Sequence, residues 1–273
     1  MQNSLRLEVM KKLLLGSLLA SGLLFGQDGD FNIGVSLVGM SMDYREYDGG
    51  SNILDSEKSN SNLLVGSEIA ASYALTRDAD SLSKITLNFM ALGGNTQYKG
   101  SILNSGLPYG SHESVTANEI YDMELGYKYS NTARANWILS SGIAVGYRYW
   151  ERSLSQAQIE TYKWFSIRPS VDVIYKSPSY SVGLELEYQF SINPIMSASN
   201  SGEDFNLGSA DIVEVSIPFT YDVSDRVELI LAYSYQRQTI KKSNIVNIGG
   251  TNYVEPDSTA NNQYVKIGAN FKF

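Results

Sequence analysis

The chain has 273 residues, 43% of them hydrophobic and only 18% charged, with a formal net charge of −8. It holds no cysteine, which excludes disulfides, thiolate metal sites and a lipid-modified cysteine; its acidity argues against nucleic acid as a partner. No run of about 18 apolar residues lies beyond the N-terminal region, so a fold of membrane-spanning helices is excluded.

Residues 1–26 do not read as part of the fold. Met10-Lys11-Lys12 opens a basic stretch, and Leu13 to Phe25 is apolar apart from Gly16, Ser17, Ser21 and Gly22. Gln27 to Asp30 then turns polar. This is the pattern of a secretory signal peptide, with Met10 the better start and cleavage after Gly22 or Gly26. Removing 1–26 takes away Arg6, Lys11, Lys12 and Glu8 and leaves 18 basic against 28 acidic residues, a charge of −10.

From Phe31 onward the chain alternates with the period of two that marks strands. Phe31, Ile33, Val35 and Leu37 open the first strand, and a polar stretch follows from Asp48 to Asn62. The second carries Val65, Ile69, Ala71, Tyr73 and Leu75 opposite Gly66, Glu68 and Ser72, and turns at Arg77 to Asp80. In the third, Ile85, Leu87, Phe89 and Ala91 oppose Lys84, Thr86 and Asn88; Gly93-Gly94 reads as a bulge. A polar loop over 100–116 follows. The fourth strand sets Tyr121, Met123, Leu125, Tyr127 and Tyr129 against Asp122, Glu124, Gly126 and Lys128. After a turn at 132–136, the fifth sets Trp137, Leu139, Ile143, Val145, Tyr147 and Tyr149 against Gly142, Ala144, Gly146, Arg148, Trp150 and Arg152.

A loop over 155–160 leads to the sixth, with Phe165, Ile167, Val171, Val173 and Tyr175 opposite Arg168, Ser170 and Asp172. Past a turn at Lys176 to Ser179, the seventh alternates from Tyr180 to Phe190 with Gly183, Glu185, Glu187 and Gln189 on its polar face. A Ser/Asn/Gly loop over 197–209 precedes the eighth, where Val213 to Tyr221 oppose Glu214, Ser216, Thr220 and Asp222. The ninth follows a turn at 222–226 and shows Val227, Leu229, Leu231, Tyr233 and Tyr235; its tail from Gln236 enters a last loop. In the tenth, Val265, Ile267, Ala269, Phe271 and Phe273 oppose Tyr264, Lys266, Gly268, Asn270 and Lys272.

The closing stretch, apolar on one face and ending on Phe273, resembles the last strand of bacterial outer-membrane β-barrels. In that family the terminal aromatic belongs to a signal read by the barrel-assembly machinery, which assigns Phe273 and Phe271 that part here. About ten strands, with short turns alternating with long loops, fit the same family. So do aromatics at the turn side of the apolar face: Phe31, Tyr73, Trp137, Tyr175, Tyr180, Tyr221 and Phe271. The resemblance implies an all-β, transmembrane, antiparallel up-and-down barrel over 27–273 as one domain. It also implies outer-membrane residence, lipid and lipopolysaccharide around the barrel, and contact with periplasmic chaperones. The soluble alternative, a β-sandwich or lipocalin-like barrel, would turn its apolar face inward.

Closure turns the polar faces into a lumen. Over all ten strands its inward acids and bases nearly balance, and the charges singled out are Arg148, Arg168, Asp172, Glu185, Glu187, Glu214, Glu124 and Lys266; they read as a salt-bridged plug or, in the competing reading, as the constriction of a narrow channel. Catalysis finds little footing. Ten-stranded barrels include the omptin proteases, whose Asp–His pair and second acidic pair sit at the outer rim. The chain has one histidine, His112, read as a loop residue, with no Asp-x-His, so the resemblance covers size and strand count alone. Asp78-Ala79-Asp80 and Glu203-Asp204 read as solvated turn acids, and neither metal nor cofactor is implied. The expectation is a monomeric, non-enzymatic surface protein, structural or adhesive, whose Tyr-, Ser-, Gly- and Asn-rich loops suit an extracellular ligand.

Overall fold

The computed structural model describes residues 30–60, 62–101, 107–134 and 136–273. The N-terminal segment 1–26 lies outside them. Strands in chain order are β1 (Phe31–Tyr47), β2 (Ile53–Lys58), β3 (Leu64–Arg77), β4 (Ser81–Gly100), β5 (His112–Arg134), β6 (Trp137–Ser153) and β7 (Ile159–Lys176). They continue with β8 (Tyr180–Ala198), β9 (Glu203–Asn206), β10 (Ala210–Ser224), β11 (Val227–Ile240), β12 (Val246–Ile248), β13 (Thr251–Tyr253) and β14 (Asp257–Lys272).

Ten of these close a ring in the order β1-β3-β4-β5-β6-β7-β8-β10-β11-β14, every neighbour antiparallel, and β14 returns to β1. The seam is tied to its last residue, since Phe273 N–H donates to the Phe31 carbonyl at 2.8 Å and the two rings lie 6.1 Å apart. Closure is what a backbone in hydrocarbon requires, because no ladder group is left unpaired. β2, β9 and the β12–β13 hairpin belong to the longer connections, all at one end. The other end holds short turns. The polar connections of the first, fourth and fifth excursions thus contain strands of their own, and that between β6 and β7 is reduced to residues 154–158.

The apolar faces point outward and run on as continuous rows. One passes Val182, Phe219, Leu231, Ile267 and Leu37; another passes Val35, Ile69, Phe89, Met123, Tyr147 and Phe165. Large hydrophobics on them stay bare, Leu37 being 74% and Ile267 61% exposed. On β10 the apolar stretch runs from Val213 to Tyr221, about 27 Å along the strand, or roughly 21 Å in height at a usual barrel tilt. That is the thickness of a lipid-facing band. Trp137 and Tyr175 pack edge-on at 5.2 Å, and Tyr180 and Phe219 stack at 6.1 Å near its turn-end margin.

Two readings of the sequence are corrected. Gly93-Gly94 is no bulge: β4 runs in unbroken register against β5 there, with Gly94 opposite Asn118. These glycines mark where β4 exchanges β3 for β2, and a Cβ on Gly94 would lie 2.9 Å from the Leu64 Cα. A register shift occurs instead on β7–β8, where Lys163 faces Ile195 and Phe165 faces Ile192 around Asn193, at φ 48°. Second, His112 is not a loop residue. It heads β5 opposite Gly100, with its ring 6.1 Å from Tyr98.

Candidate functional site

The lumen is layered. At the turn end, Lys272 reaches Glu228 at 2.7 Å and Asp222 at 3.1 Å, and Lys128 bridges Asp172 at 2.5 Å and Glu185 at 3.1 Å. Between them lies a cavity of about 650 Å³ lined by polar, charged and small side chains together with apolar ones such as Leu82, Ile138 and Ile174. Gly126, Gly142 and Ala144 leave this space because they contribute no bulk on the inward face.

The next layer holds a smaller cavity of about 170 Å³. Arg168, on β7, grips Asp122 of β5 through both terminal nitrogens, at 2.7 and 3.2 Å, and reaches Glu124 at 3.2 Å. Arg148, on β6, donates to Gln236 and to the Tyr264 hydroxyl, both at 3.3 Å, and stands 3.8 Å from Asp122. Lys266 meets Glu68 at 2.5 Å. Seven of the eight lumen charges singled out in the sequence line this one cavity: Arg148, Arg168, Glu185, Glu187, Glu214, Glu124 and Lys266. Asp172 does not, and stays with Lys128 one layer below. The near-balance of charge holds for the whole lumen but fails locally, because the six carboxylates here face three cations.

Above it the lumen changes character. Val38, Met40, Leu64, Met90, Leu92, Ile120, Trp164 and Ile212 are buried against one another and fill the bore. The core continues toward the loop end through Tyr44, Trp150, Tyr162, Met196, Phe205, Leu207 and Ile240. Here the side-chain phase is inverted. On β1 the outward residues Ile33, Val35 and Leu37 give way to inward Val38, Met40, Met42 and Tyr44, while Ser41, Asp43 and Arg45 face out. A strand that leaves lipid for water exchanges its faces in this way.

The loop-end core is organised around Arg152, 0% exposed, on β6. Its guanidinium donates to Glu57 at 2.7 and 3.0 Å, to Glu46 at 2.9 Å and to Glu160 at 2.8 Å. It also lies 4.3 Å over the Tyr44 ring, a cation–π contact. Glu57 is completed by Thr96 at 2.8 Å and Asn118 at 3.3 Å, and Asn118 takes the Trp150 indole N–H at 2.8 Å. The Tyr162 hydroxyl donates to Glu255 at 2.5 Å. One cation thereby ties β1, β2, β6 and β7 together, and Glu255 docks the β13–β14 connection on the same cluster.

Carboxylates outnumber the cation here. Burial, reinforced by the charge of Glu46, pushes Asp55 up to about 7. Burial raises Glu160 against the opposing pull of Arg152, and it raises Glu255 further, with Glu46 and Glu160 adding repulsion. Oxygens of Glu46, Glu160 and Glu255 lie within 4.8 Å of one another, a spacing suited to a cation. Arg152 already fills the place beside the first two, and the third is held by Tyr162. The sequence placed Arg152 on the inward face but gave no sign of its partners, because Glu57 and Glu160 come from stretches that read as polar connections.

Phe271 and Phe273 are exposed at the turn end beside the β1–β14 seam. No protein-family model matches the chain, and no curated protein matches it in sequence. Solved structures do resemble it. The outer membrane protease OmpT from Escherichia coli is 13% identical, with a TM-score of 0.55 over 93% of this chain and 100% of that one. The translocator domain of the autotransporter NalP from Neisseria meningitidis is 12% identical, with a TM-score of 0.47 over 100% and 98%. Neisserial surface protein A is 14% identical, with a TM-score of 0.36 over 91% and 100%. At these identities the likeness concerns the fold. Ring, lipid-facing band and likeness agree: the chain is a transmembrane barrel with the fold of outer-membrane β-barrel proteins, built on ten strands.

Proposed function

We propose that the protein is a monomeric, non-enzymatic barrel of a Gram-negative outer membrane, closed to solutes and presenting its loop end to the outside in a structural or adhesive role. The observation that supports this most is the apolar layer from Val38 to Ile212, capped by Arg152 and its carboxylates, which fills the bore of the loop-end half with buried side chains. Short turns and the β1–β14 seam, with Phe31 and Phe273, then face the periplasm. Phe273 and Phe271 serve there as the assembly signal, met by the assembly machinery and periplasmic chaperones, and lipopolysaccharide surrounds the band. The loop end offers Tyr47, Tyr109 and Tyr253 among Ser, Gly and Asn, a composition suited to recognition.

The competing role, a narrow porin, draws on the two stacked cavities of the other half. Single-channel recording of the refolded barrel in a planar bilayer separates the two. A closed barrel supports the plug, whereas steady ion-selective openings that change on neutralising Arg168 or Glu185 overturn it. Adhesion is tested by deleting the loops around Asn52, Asn104 and Asn252; unchanged binding to host cells or matrix would sink that part.

A further inference from the structure

One wall of the smaller cavity carries an uncompensated charge. Glu187 on β8 and Glu214 on β10 stand directly opposite each other in register, and both line the cavity. Like charges so placed repel across a sheet. Among the described residues neither has an ion-pair partner. Glu187 accepts from the Gln189 amide at 2.9 Å, and Glu214 from Ser216 at 3.1 Å and Gln236 at 2.9 Å. Of the six carboxylates lining the cavity, Glu68, Asp122 and Glu124 are matched by its three cations, and Glu185 shares Lys128 of the larger cavity with Asp172. Glu187 and Glu214 remain without an ion pair.

A second, independent feature points the same way. Gln189 is 3% exposed and lines the same cavity. Its amide nitrogen is committed to Glu187, which fixes the orientation of the group, and its carbonyl oxygen has no hydrogen-bond donor among the described residues. A buried acceptor without a donor is rare in a folded protein. Beside two unpaired carboxylates, it is satisfied together with them by a positive ion.

We infer that this wall binds one hard divalent cation, Ca²⁺ or Mg²⁺, between Glu187, Glu214 and the Gln189 carbonyl oxygen. An all-oxygen donor set selects such ions over softer metals, and two charges match the surplus. The cavity, about 170 Å³, has room for the waters that complete a coordination shell. Asn88, Glu124, Glu185 and Glu187 line both cavities, so the ion enters from the turn end. The apolar layer bars the other route. The bound ion pins β8 to β10 and replaces repulsion by a shared ligand.

The test is calorimetric titration of the refolded barrel with CaCl₂ and with MgCl₂ in lipopolysaccharide-free detergent at constant pH, alongside thermal melts in EDTA. One ion per chain is expected, with Tm raised by roughly 3 °C or more at saturation. Glu187→Gln/Glu214→Gln is expected to lose at least tenfold in affinity, and to melt no lower than the wild type in EDTA, since it removes repulsion. The surface variant Glu203→Gln keeps the site. Absence of binding by both ions overturns the inference, as does binding that the double variant retains. A melting-temperature gain of the double variant in EDTA with no ion effect on the wild type would also overturn it, showing a shared proton instead. The readout is equilibrium binding, so it stands apart from the outcome of the conductance experiment.

Discussion

Replacing Arg152 by methionine should open the loop-end half of the barrel while leaving the lipid-embedded half intact. The substitution keeps most of the apolar volume and removes the charge bonded to Glu46, Glu57 and Glu160, all at 2.7–2.9 Å. Removing one partner of a buried ion pair costs about 3–5 kcal/mol. Each stranded carboxylate has one escape, protonation. At pH 7 that costs about 4 kcal/mol for a glutamate of ordinary pKa near 4.3, and at pH 5 only about 1 kcal/mol. Three such groups exceed what one layer of side chains supplies at neutral pH, yet little is lost in acid. Trypsin digestion reads the difference, because Lys58, Lys99 and Lys241 sit at the loop end with about half their side-chain surface in water. R152M should be cut at pH 7.5 and far less at pH 5.5, relative to a denatured control digested at each pH. It should also conduct at pH 7.5. Equal resistance of wild type and variant at pH 7.5, or cleavage just as fast at pH 5.5, would refute the reasoning.

Three further outcomes follow from the same geometry. In the wild type, Asp55, Glu160 and Glu255 are raised by burial, so their favourable protonated contribution is complete below ordinary carboxylate values and is lost as pH rises through the raised ones. Protease resistance of the loop end should therefore increase from pH 7.5 to 5.5, by about 1 kcal/mol in opening free energy from Asp55 once its solvent access is allowed for; a decrease over that interval would contradict the cluster. Ile143→Arg, in the middle of the lipid band, should cost about 2–4 kcal/mol of stability in urea titrations of vesicle-folded protein, while Ser41→Arg above the band should cost less than about 1 kcal/mol. Similar costs at both positions would place the band wrongly. Gly66→Ala drives a methyl group to 1.8 Å from the Ala91 carbonyl oxygen of the neighbouring strand, and heat-modified gel mobility should show a marked loss of folded barrel.

Much of the lipid-embedded half was legible from alternation alone. Its rows of Val, Leu, Ile and Phe keep one phase from the turns upward, and with ten strands the polar residues between them can only point into the lumen. Arg148, Arg168, Glu187 and Glu214 were recoverable as a group because they lie at similar heights on neighbouring strands. Asp172 shares their face and stands opposite Glu185 but does not line their cavity, since period two gives the face and not the height. The loop-end core was written in the same signal but in reversed phase: Val38, Met40, Met42 and Tyr44 are an apolar face as regular as Ile33, Val35 and Leu37. What alternation cannot supply is pairing across distance. Glu57 reaches Arg152 across 95 residues and Glu255 reaches Tyr162 across 93, and nothing local distinguishes them from solvated loop acids.

The phase inversion also explains why the two halves carry such different interiors. Within the lipid band, the hydrophobic effect acts little between the barrel and its surroundings, so the inner face is free to be polar and to hold ion pairs and cavities. Above the band the outer face meets water, as Asp43, Arg45 and Lys58 show by their ion pairs, and a strand of ordinary composition has to bury its apolar residues somewhere. The bore is the one place available. The plug is thus the hydrophobic core of a water-exposed barrel continuous with a membrane barrel, and its Trp164, Ile120 and Ile212 do for the upper half what lipid does for the lower. The closed lumen proposed above then rests on barrel side chains alone among the described residues. It follows from extending the strands beyond the membrane, and Arg152 fixes which strands meet there by offering one cation to carboxylates from several of them.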